Sequence, residues 1–282
     1  MTAFDAVRLL NTGFATTHRW ILLRGAGLRS LQVPVTVALL HHPEHGWGLF
    51  DTGYAPRSRE ASRGWPYGIY HHVAPIRAGP EDTVAAQLGD AGLSTADLRW
   101  IVLSHFHADH VAGLRDFPRA RLWATREGWE YVRARRGVPA VRRGILPQLF
   151  PPDLAERATF LDDFDAPPVE GLGGAWEIFG DGSARLVPLP GHARGQLGML
   201  AHVRDAAGER EVLFAADATW LSAAIRAQRP PHPVTRVFID DFPALEHTLR
   251  RLHTFAAAHP EVRIVPTHCP EALARWRDEV GA

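Results

Sequence analysis

The sequence predicts an α/β protein, and three observations carry that reading. First, four apolar runs of strand length each end on a histidine or an aspartate. Residues 100–103 lead into Ser104 and His105, 184–191 into His192, 211–216 into Asp217, and 262–267 into His268. Second, residues 81–90 and 244–259 space their apolar side chains as helices do. Val84 and Leu88 share one face of the first, and Leu245, Leu249, Leu252 and Phe255 one face of the second. Third, no linker or internal repeat divides the 282 residues, and 46% hydrophobic content supports one large core. In open α/β folds ligands gather beyond the carboxyl ends of strands, so these four ends are expected to meet at one edge.

In chain order, residues 33–40 read as a strand. The turn His45-Gly46-Trp47-Gly48 returns the chain through Leu49-Phe50 to Asp51-Thr52-Gly53. An Asp-Thr-Gly triplet suits an aspartic protease, but that chemistry needs two facing carboxylates and the triplet occurs once. Residues 56–80 form a long connection rich in Gly, Pro, Arg and aromatics, including Trp65, Tyr67 and Tyr70; it is read either as a pocket-forming insertion or as a surface cover. Residues 126–136 fit a helix. Arg133, Arg135, Arg136, Arg142 and Arg143 are read as a solvated face. Residues 137–174 carry many prolines and are expected to be irregular, a second wall of the pocket. Residues 270–279 fit one closing helix. All of this is expected to form one domain, 1–282.

The run Ser104-His105-Phe106-His107-Ala108-Asp109-His110 places three histidines and a carboxylate within six residues, directly after a buried-strand pattern. Imidazole and carboxylate are the donors a borderline cation prefers, and a short loop restricts their geometry. A lone histidine among the 16 in the chain would carry little weight. The cluster, together with His192, Asp217 and His268 at three other strand ends, points to a metal site. Ser104 is read as a strand-end hydrogen bonder. Cys269 neighbours His268 on an extended chain, so the two point to opposite sides and the thiol is expected to be buried away from the metal.

Composition bounds the partners. The 31 basic and 31 acidic residues cancel, which gives nucleic-acid binding no electrostatic support. No run reaches the ~18–20 apolar residues of a membrane helix. The N-terminus lacks the pattern of a secretory signal. One cysteine excludes an intrachain disulfide. The expected setting is the cytoplasm, and the expected partner is a small-molecule substrate, with a homodimer as a plausible assembly.

His-x-His-x-Asp-His, Pro-Gly-His, an Asp after an apolar strand and a final His resemble the metallo-β-lactamase superfamily of hydrolases, from about Val33 to His268. The resemblance implies a four-layer αβ/βα sandwich of two mixed sheets with helices outside. It implies that His105, His107 and His192 hold one divalent metal, that Asp109, His110 and His268 hold a second, and that Asp217 bridges them. Zinc is the first expectation, with iron, manganese or cobalt compatible with the same ligands. It further implies that Asp51 orients a ligand histidine from behind.

A two-metal site of this kind performs hydrolysis with a bridging hydroxide, and Asp109 can pass a proton to the departing oxygen. The layout is closest to the N-acyl-homoserine lactonase-like branch of the superfamily: Asp217 is present, and only one helix follows His268. Many of those enzymes carry a tyrosine three residues after the bridging Asp, whose hydroxyl contacts the lactone carbonyl; this chain has Trp220 there. With Trp65, Tyr67 and Tyr70, Trp220 suggests an apolar pocket and hence a hydrophobic lactone or carboxylic ester. Two alternatives are a phosphotriesterase or phosphodiesterase using the same metals, and a non-catalytic protein whose metals only hold the fold.

Overall fold

The computed structural model describes residues 2–205 and 208–280. Seven strands form the first sheet: β1 (Ala6–His18), β2 (Ser30–His42), β3 (Gly46–Phe50), β4 (Ile76–Arg77), β5 (Leu98–Val102), β6 (Arg121–Thr125) and β7 (Ala158–Leu161). Their order is β4-β1-β2-β3-β5-β6-β7. Six form the second: β8 (Ala166–Val169), β9 (Gly173–Glu177), β10 (Ala184–Pro188), β11 (Leu197–Asp205), β12 (Gly208–Ala216) and β13 (Arg263–Pro266). Their order is β13-β12-β11-β10-β9-β8. Both sheets are mixed: β3, β5, β6 and β7 run parallel, as do β12 and β13, while the remaining pairs are antiparallel.

Strand parity builds the layers, because successive side chains point to opposite faces. On β2, Ala38 and Leu40 join Trp100 and Val102 of β5 in a core shared with Leu186, Met199, Val212 and Phe214 of the second sheet. Their neighbours Val35, Val37 and Leu39 face the other way, onto Val84 and Leu88 of the helix Val84–Asp90. On β12, Leu213 and Ala215 likewise turn outward to Leu249, Leu252 and Phe255 of the helix Phe242–Ala258. The outcome is the expected helix–sheet–sheet–helix sandwich. Each buried Leu, Val or Phe stabilises it by roughly 1.5–3 kcal/mol. Among the described residues, no helix is long and apolar enough to cross a membrane.

Several expectations are corrected. The helix expected over 126–136 ends at Val132. The segment 81–90 splits into a 3₁₀ turn, Pro80–Asp82, and a helix capped by the Thr83 hydroxyl. Residues 56–80 are not structureless: they carry the helices Arg57–Ala61 and Ile69–Val73 as well as β4. Residues 137–174 are not irregular throughout: they hold β7, β8, the start of β9 and the short helices Gly137–Val141 and Leu154–Arg157. Of the arginines read as a solvated face, Arg143 instead binds Asp240 and the Ile239 carbonyl, and Arg135 lies over the Tyr131 ring.

Parallel pairing positions the site. Phe50 on β3 is level with Val102 on β5, so the next residues, Asp51 and Leu103-Ser104, leave the sheet side by side. Ala216 on β12 is level with Pro266 on β13, which brings Asp217 and His268 off the same edge. A hydrogen bond from Leu197 N to the Ser104 carbonyl, 3.0 Å, joins the two sheets there.

Candidate metal centre

Four strand ends do converge. His105, His107, His110, His192 and Asp217 are buried, and His268 and Asp109 sit with them. Three overlapping groups each bring their donor atoms within 4.8 Å of one another: His105–His107–His192, His105–His110–Asp217 and Asp109–His110–His268. Asp217 joins them. Its Oδ2 is 3.3 Å from His192 Nε2 and 3.2 Å from His268 Nε2, and its Oδ1 is 3.4 Å from His110 Nε2.

The backbone delivers these groups under strain. Asp51 and Ala216, each the first or last residue at a strand end, adopt φ of 66° and 47°, a left-handed conformation that costs a residue with a side chain of order 1–3 kcal/mol. Gly191 of Pro-Gly-His has φ 130°, and a Cβ there would come within 2.2 Å of the Leu245 backbone nitrogen. Only glycine lets that loop pass so close to the helix and still turn His192 inward.

Behind the histidines lies a buried hydrogen-bond scaffold. Asp51 accepts from Ser104 N (2.8 Å) through Oδ1, and from Ser104 Oγ (2.7 Å) and His110 Nδ1 (2.7 Å) through Oδ2. Ser104 Oγ, its own hydrogen given to Asp51, in turn accepts a hydrogen bond from His105 Nδ1 at 2.9 Å. His268 Nδ1 donates to the Pro34 carbonyl, 2.8 Å away. With each Nδ1 engaged, Nε2 of His105, His110 and His268 is the nitrogen turned inward, able to ligate a metal once it carries no proton. Asp51 thus contacts His110 directly, and Ser104 extends its reach to a second histidine.

Electrostatics split the histidines into two sets. Burial, reinforced by neighbouring imidazoles, holds His105 well below the ordinary value; burial lowers His107 too, and takes His192 down to about 3. These three are neutral at pH 7. Burial also acts against protonated His110 and His268, but carboxylates outweigh it: Asp51, Asp217 and Asp109 hold His110 well above 6.5, and Asp217 and Asp109 push His268 to about 10. Asp109 feels burial as well, yet His110 and His268 hold it at about 2. In the metal-free protein, protons on His110 and His268 therefore balance Asp109 and Asp217.

The donor set fits divalent metal. Nε2 of His105 and of His110 and Oδ1 of Asp217 are buried with no hydrogen-bond partner. His107 Nδ1 and His192 Nε2, both on neutral rings, face each other at 2.9 Å. Buried polar atoms left unpaired cost about 1–3 kcal/mol each, and a cation shared among them removes that cost.

The remaining predicted residues separate. Trp220 reaches the site: its indole N–H donates to Asp217 Oδ2 at 3.0 Å. Tyr70 lies in the cavity wall, 3% exposed. Trp65 does not belong there; it is 81% exposed and outside the cavity lining. Tyr67 also lies outside it, its hydroxyl accepting from Gly137 N at 2.8 Å. The proline-rich segment hid that outcome, because helix Ile69–Val73 turns Tyr70 inward and leaves Trp65 before it in solvent. Cys269 is buried and accepts from Ser222 N and Ala272 N, as expected of a thiol facing away from the site.

A cavity of about 370 Å³ opens over the cluster, with His107, Asp109, His192, Asp217 and His268 at its floor. Its walls include Ala15, Ile21, Leu22, Val33, Ile76, Trp220 and Phe238. The contribution of β1 was not foreseen, although alternation around Val7 and Leu9 and β-branched Thr12, Thr16 and Thr17 signalled a strand. From residues 137–174, Gly144 alone lines it. Asp240 also went unread: it accepts from Tyr131 Oη and Arg194 N, and so braces the loop of His192.

A profile of the metallo-beta-lactamase superfamily matches residues 31–268. The chain belongs to the metallo-β-lactamase superfamily. It is a hydrolase of that superfamily, with relatives that fit the lactonase-like branch. A "probable metallo-hydrolase" of Mycobacterium tuberculosis is 30% identical over 254 residues, covering 85% of this chain and 76% of its own length. The N-acyl homoserine lactonase AttM of Agrobacterium fabrum is 25% identical over 253 residues, 87% of this chain and 86% of that protein. Among solved structures, an N-acyl homoserine lactone hydrolase with N-hexanoyl-L-homoserine at its catalytic metal centre superposes with a TM-score of 0.73 at 18% identity, covering 97% of this chain and 96% of the other. The dizinc lactonase AidC follows at 0.65 and 16%, covering 95% and 89%. At those identities the structural matches speak for the fold.

Proposed function

We propose that this superfamily member is a dinuclear metal-dependent hydrolase of hydrophobic lactones or carboxylic esters. One observation carries the proposal: Asp217 touches histidines of both triads on the floor of a largely apolar cavity. His105, His107 and His192 would hold one cation and Asp109, His110 and His268 the other, with Asp217 shared. Two such cations supply a water ionisable near pH 7 and polarise an acyl oxygen.

The chain's own groups do the rest. Asp51 and Ser104 fix the ligand rings, and the apolar wall gathers the substrate's hydrocarbon and excludes water. Asp109 is ionised at rest, so it is not a ready-made acid. It takes the proton lost by the attacking water as the new C–O bond forms, then gives that proton to the departing alkoxide as the old C–O bond breaks. The lactonase relatives support the acyl class, and Trp220, with its N–H on Asp217, supports a hydrophobic substrate.

The test is a panel of aryl esters, aliphatic lactones and phosphotriesters assayed with zinc-, manganese-, cobalt- and iron-loaded protein. The expected outcome is hydrolysis of esters and lactones, lost on chelation and restored by metal. Preference for phosphotriesters would move the substrate class to phosphorus. Bound metal without turnover of any member would reduce the site to a structural one.

A further inference from the structure

Trp220 leaves a chemical question in this cavity. Its single N–H is already committed to Asp217, so it has no donor left for a substrate carbonyl. Thr235 Oγ1 is likewise committed, to the His232 carbonyl, and His18 Nδ1 to the Leu28 carbonyl. The Tyr70 hydroxyl differs. It is buried and has no hydrogen-bond partner, on a residue that lines the cavity. Among the described residues lining that cavity, it is the one buried, unpaired side-chain donor outside the candidate ligand set.

An unpaired buried hydroxyl is costly and rare, and it calls for something that pairs with it. The fold holds it firmly. The Tyr70 ring belongs to the core under the first sheet, and helix Ile69–Val73 is closed by bonds from Tyr70 N to Tyr67 O (3.0 Å) and from Ala74 N to Tyr70 O (2.8 Å). Burial, and after it the nearby Asp109 and Asp217 carboxylates, disfavour a phenolate, so the group at neutral pH is O–H, a donor. A fixed donor in a dry wall beside the candidate metal ligands suits an oxygen that gains negative charge during reaction.

We propose that Tyr70 donates its phenolic hydrogen bond to the acyl carbonyl oxygen of the substrate, strengthening as that oxygen becomes negative. The role falls to a residue far from Trp220 in sequence but on the same cavity. It rests on the acyl-hydrolase reading given above. Tyr70 keeps its proton throughout, and only the strength of its hydrogen bond changes.

Tyr70→Phe preserves the ring and removes the donor. For metal-loaded protein we expect kcat/KM on lactones and aryl esters to fall about 100-fold, mostly in kcat, the size seen when one such donor is deleted. Metal content should be unchanged and Tm equal or higher, because an unpaired buried hydroxyl has been removed. Affinity for a trifluoromethyl ketone, whose hydrate mimics the tetrahedral oxygen, should fall in step with kcat/KM. Activity within about 2-fold of wild type, or activity lost together with metal or Tm, would overturn the assignment alone. A wild-type enzyme inert toward esters and lactones would overturn the acyl-hydrolase reading and Tyr70's role with it.

Discussion

Two aspartate–serine–histidine groups lie at opposite ends of this sandwich, each around a buried histidine. At one end Asp51 and Ser104 hold His110; at the other Asp181 and Ser183 hold His42. The residue types match, but the fate of the histidine's second nitrogen does not. His42 Nε2 bonds Asp181 (2.9 Å) and Ser183 (3.1 Å), while its Nδ1 accepts from Glu44 N (3.1 Å) and His45 N (3.2 Å). Phe4 and Phe179 pack against its ring. Every polar atom is spent, and the group serves to close the β2–β3 turn. His110 has one nitrogen on Asp51 and the other bare, facing Asp217. A satisfied histidine reports structure; a bare one, next to others like it, reports a ligand to come.

The strongest challenge to this contrast is Asp217→Ala. Because Asp217 touches both triads, metal content should drop from about two ions per chain to fewer than one and hydrolysis to background. Full occupancy by elemental analysis in that variant would break the bridging assignment. Next comes pH. His110 and His268 carry protons in the metal-free protein, and ligation requires them neutral, so each binding event expels protons. Affinity for metal at that position should therefore rise with pH, by up to about 100-fold per unit if both protons leave. Competition against a chromogenic chelator from mildly acidic to mildly alkaline pH reads the slope, and a flat or falling profile contradicts the assigned charges. The sign for stability is opposite: the contribution of His268 to the metal-free fold, complete below pH 6.5, is lost as pH rises through about 10.

A matched pair of substitutions compares the ends directly. Asp51→Asn should weaken metal binding about 10–100-fold, the usual cost of losing a carboxylate behind a ligand histidine. Asp181→Asn should lower Tm and leave metal affinity and turnover alone. If both variants shift metal affinity equally, the two ends are not distinct. The smallest effect is expected at Trp220. If it walls the cavity, each added methylene on the substrate should raise kcat/KM by about 4-fold, the equivalent of ~0.8 kcal/mol. Trp220→Ala should flatten that slope. Trp100, whose indole donates to Gly46 O near the His42 end, offers the control: its replacement should cost stability without touching the slope.

The same contrast explains what was readable in the sequence. Ligand candidates stood out because metal chemistry demands particular residue types at the ends of apolar runs, and that signal is local. The outer helix Phe242–Ala258 was legible for a similar reason, its apolar period being its buried face. What escaped was set by distant partners. Nothing local distinguishes Tyr70, turned inward, from Trp65 in solvent, since the difference lies in how one short helix meets the first sheet. Nor does the sequence around His42 differ from that around a ligand; Asp181 settles its role from 139 residues away. Asp240 binds Arg143, Tyr131 and the His192 loop at once, a network no periodicity encodes.

Apart from Val33 and Gly144, the cavity walls come from β1 and the helix Arg19–Leu22 after it, from residues 70–76, and from residues 220–238, while the candidate ligands sit on separate strand ends. Recognition and the candidate ligand set are thus written largely on different stretches of chain. Exchanges in the wall segments that spare Tyr70 and Trp220 can redraw which molecule enters without disturbing the groups that cleave it. A scaffold divided this way is suited to acquiring new substrates by drift in its loops, and libraries confined to those three segments are the natural place to evolve one.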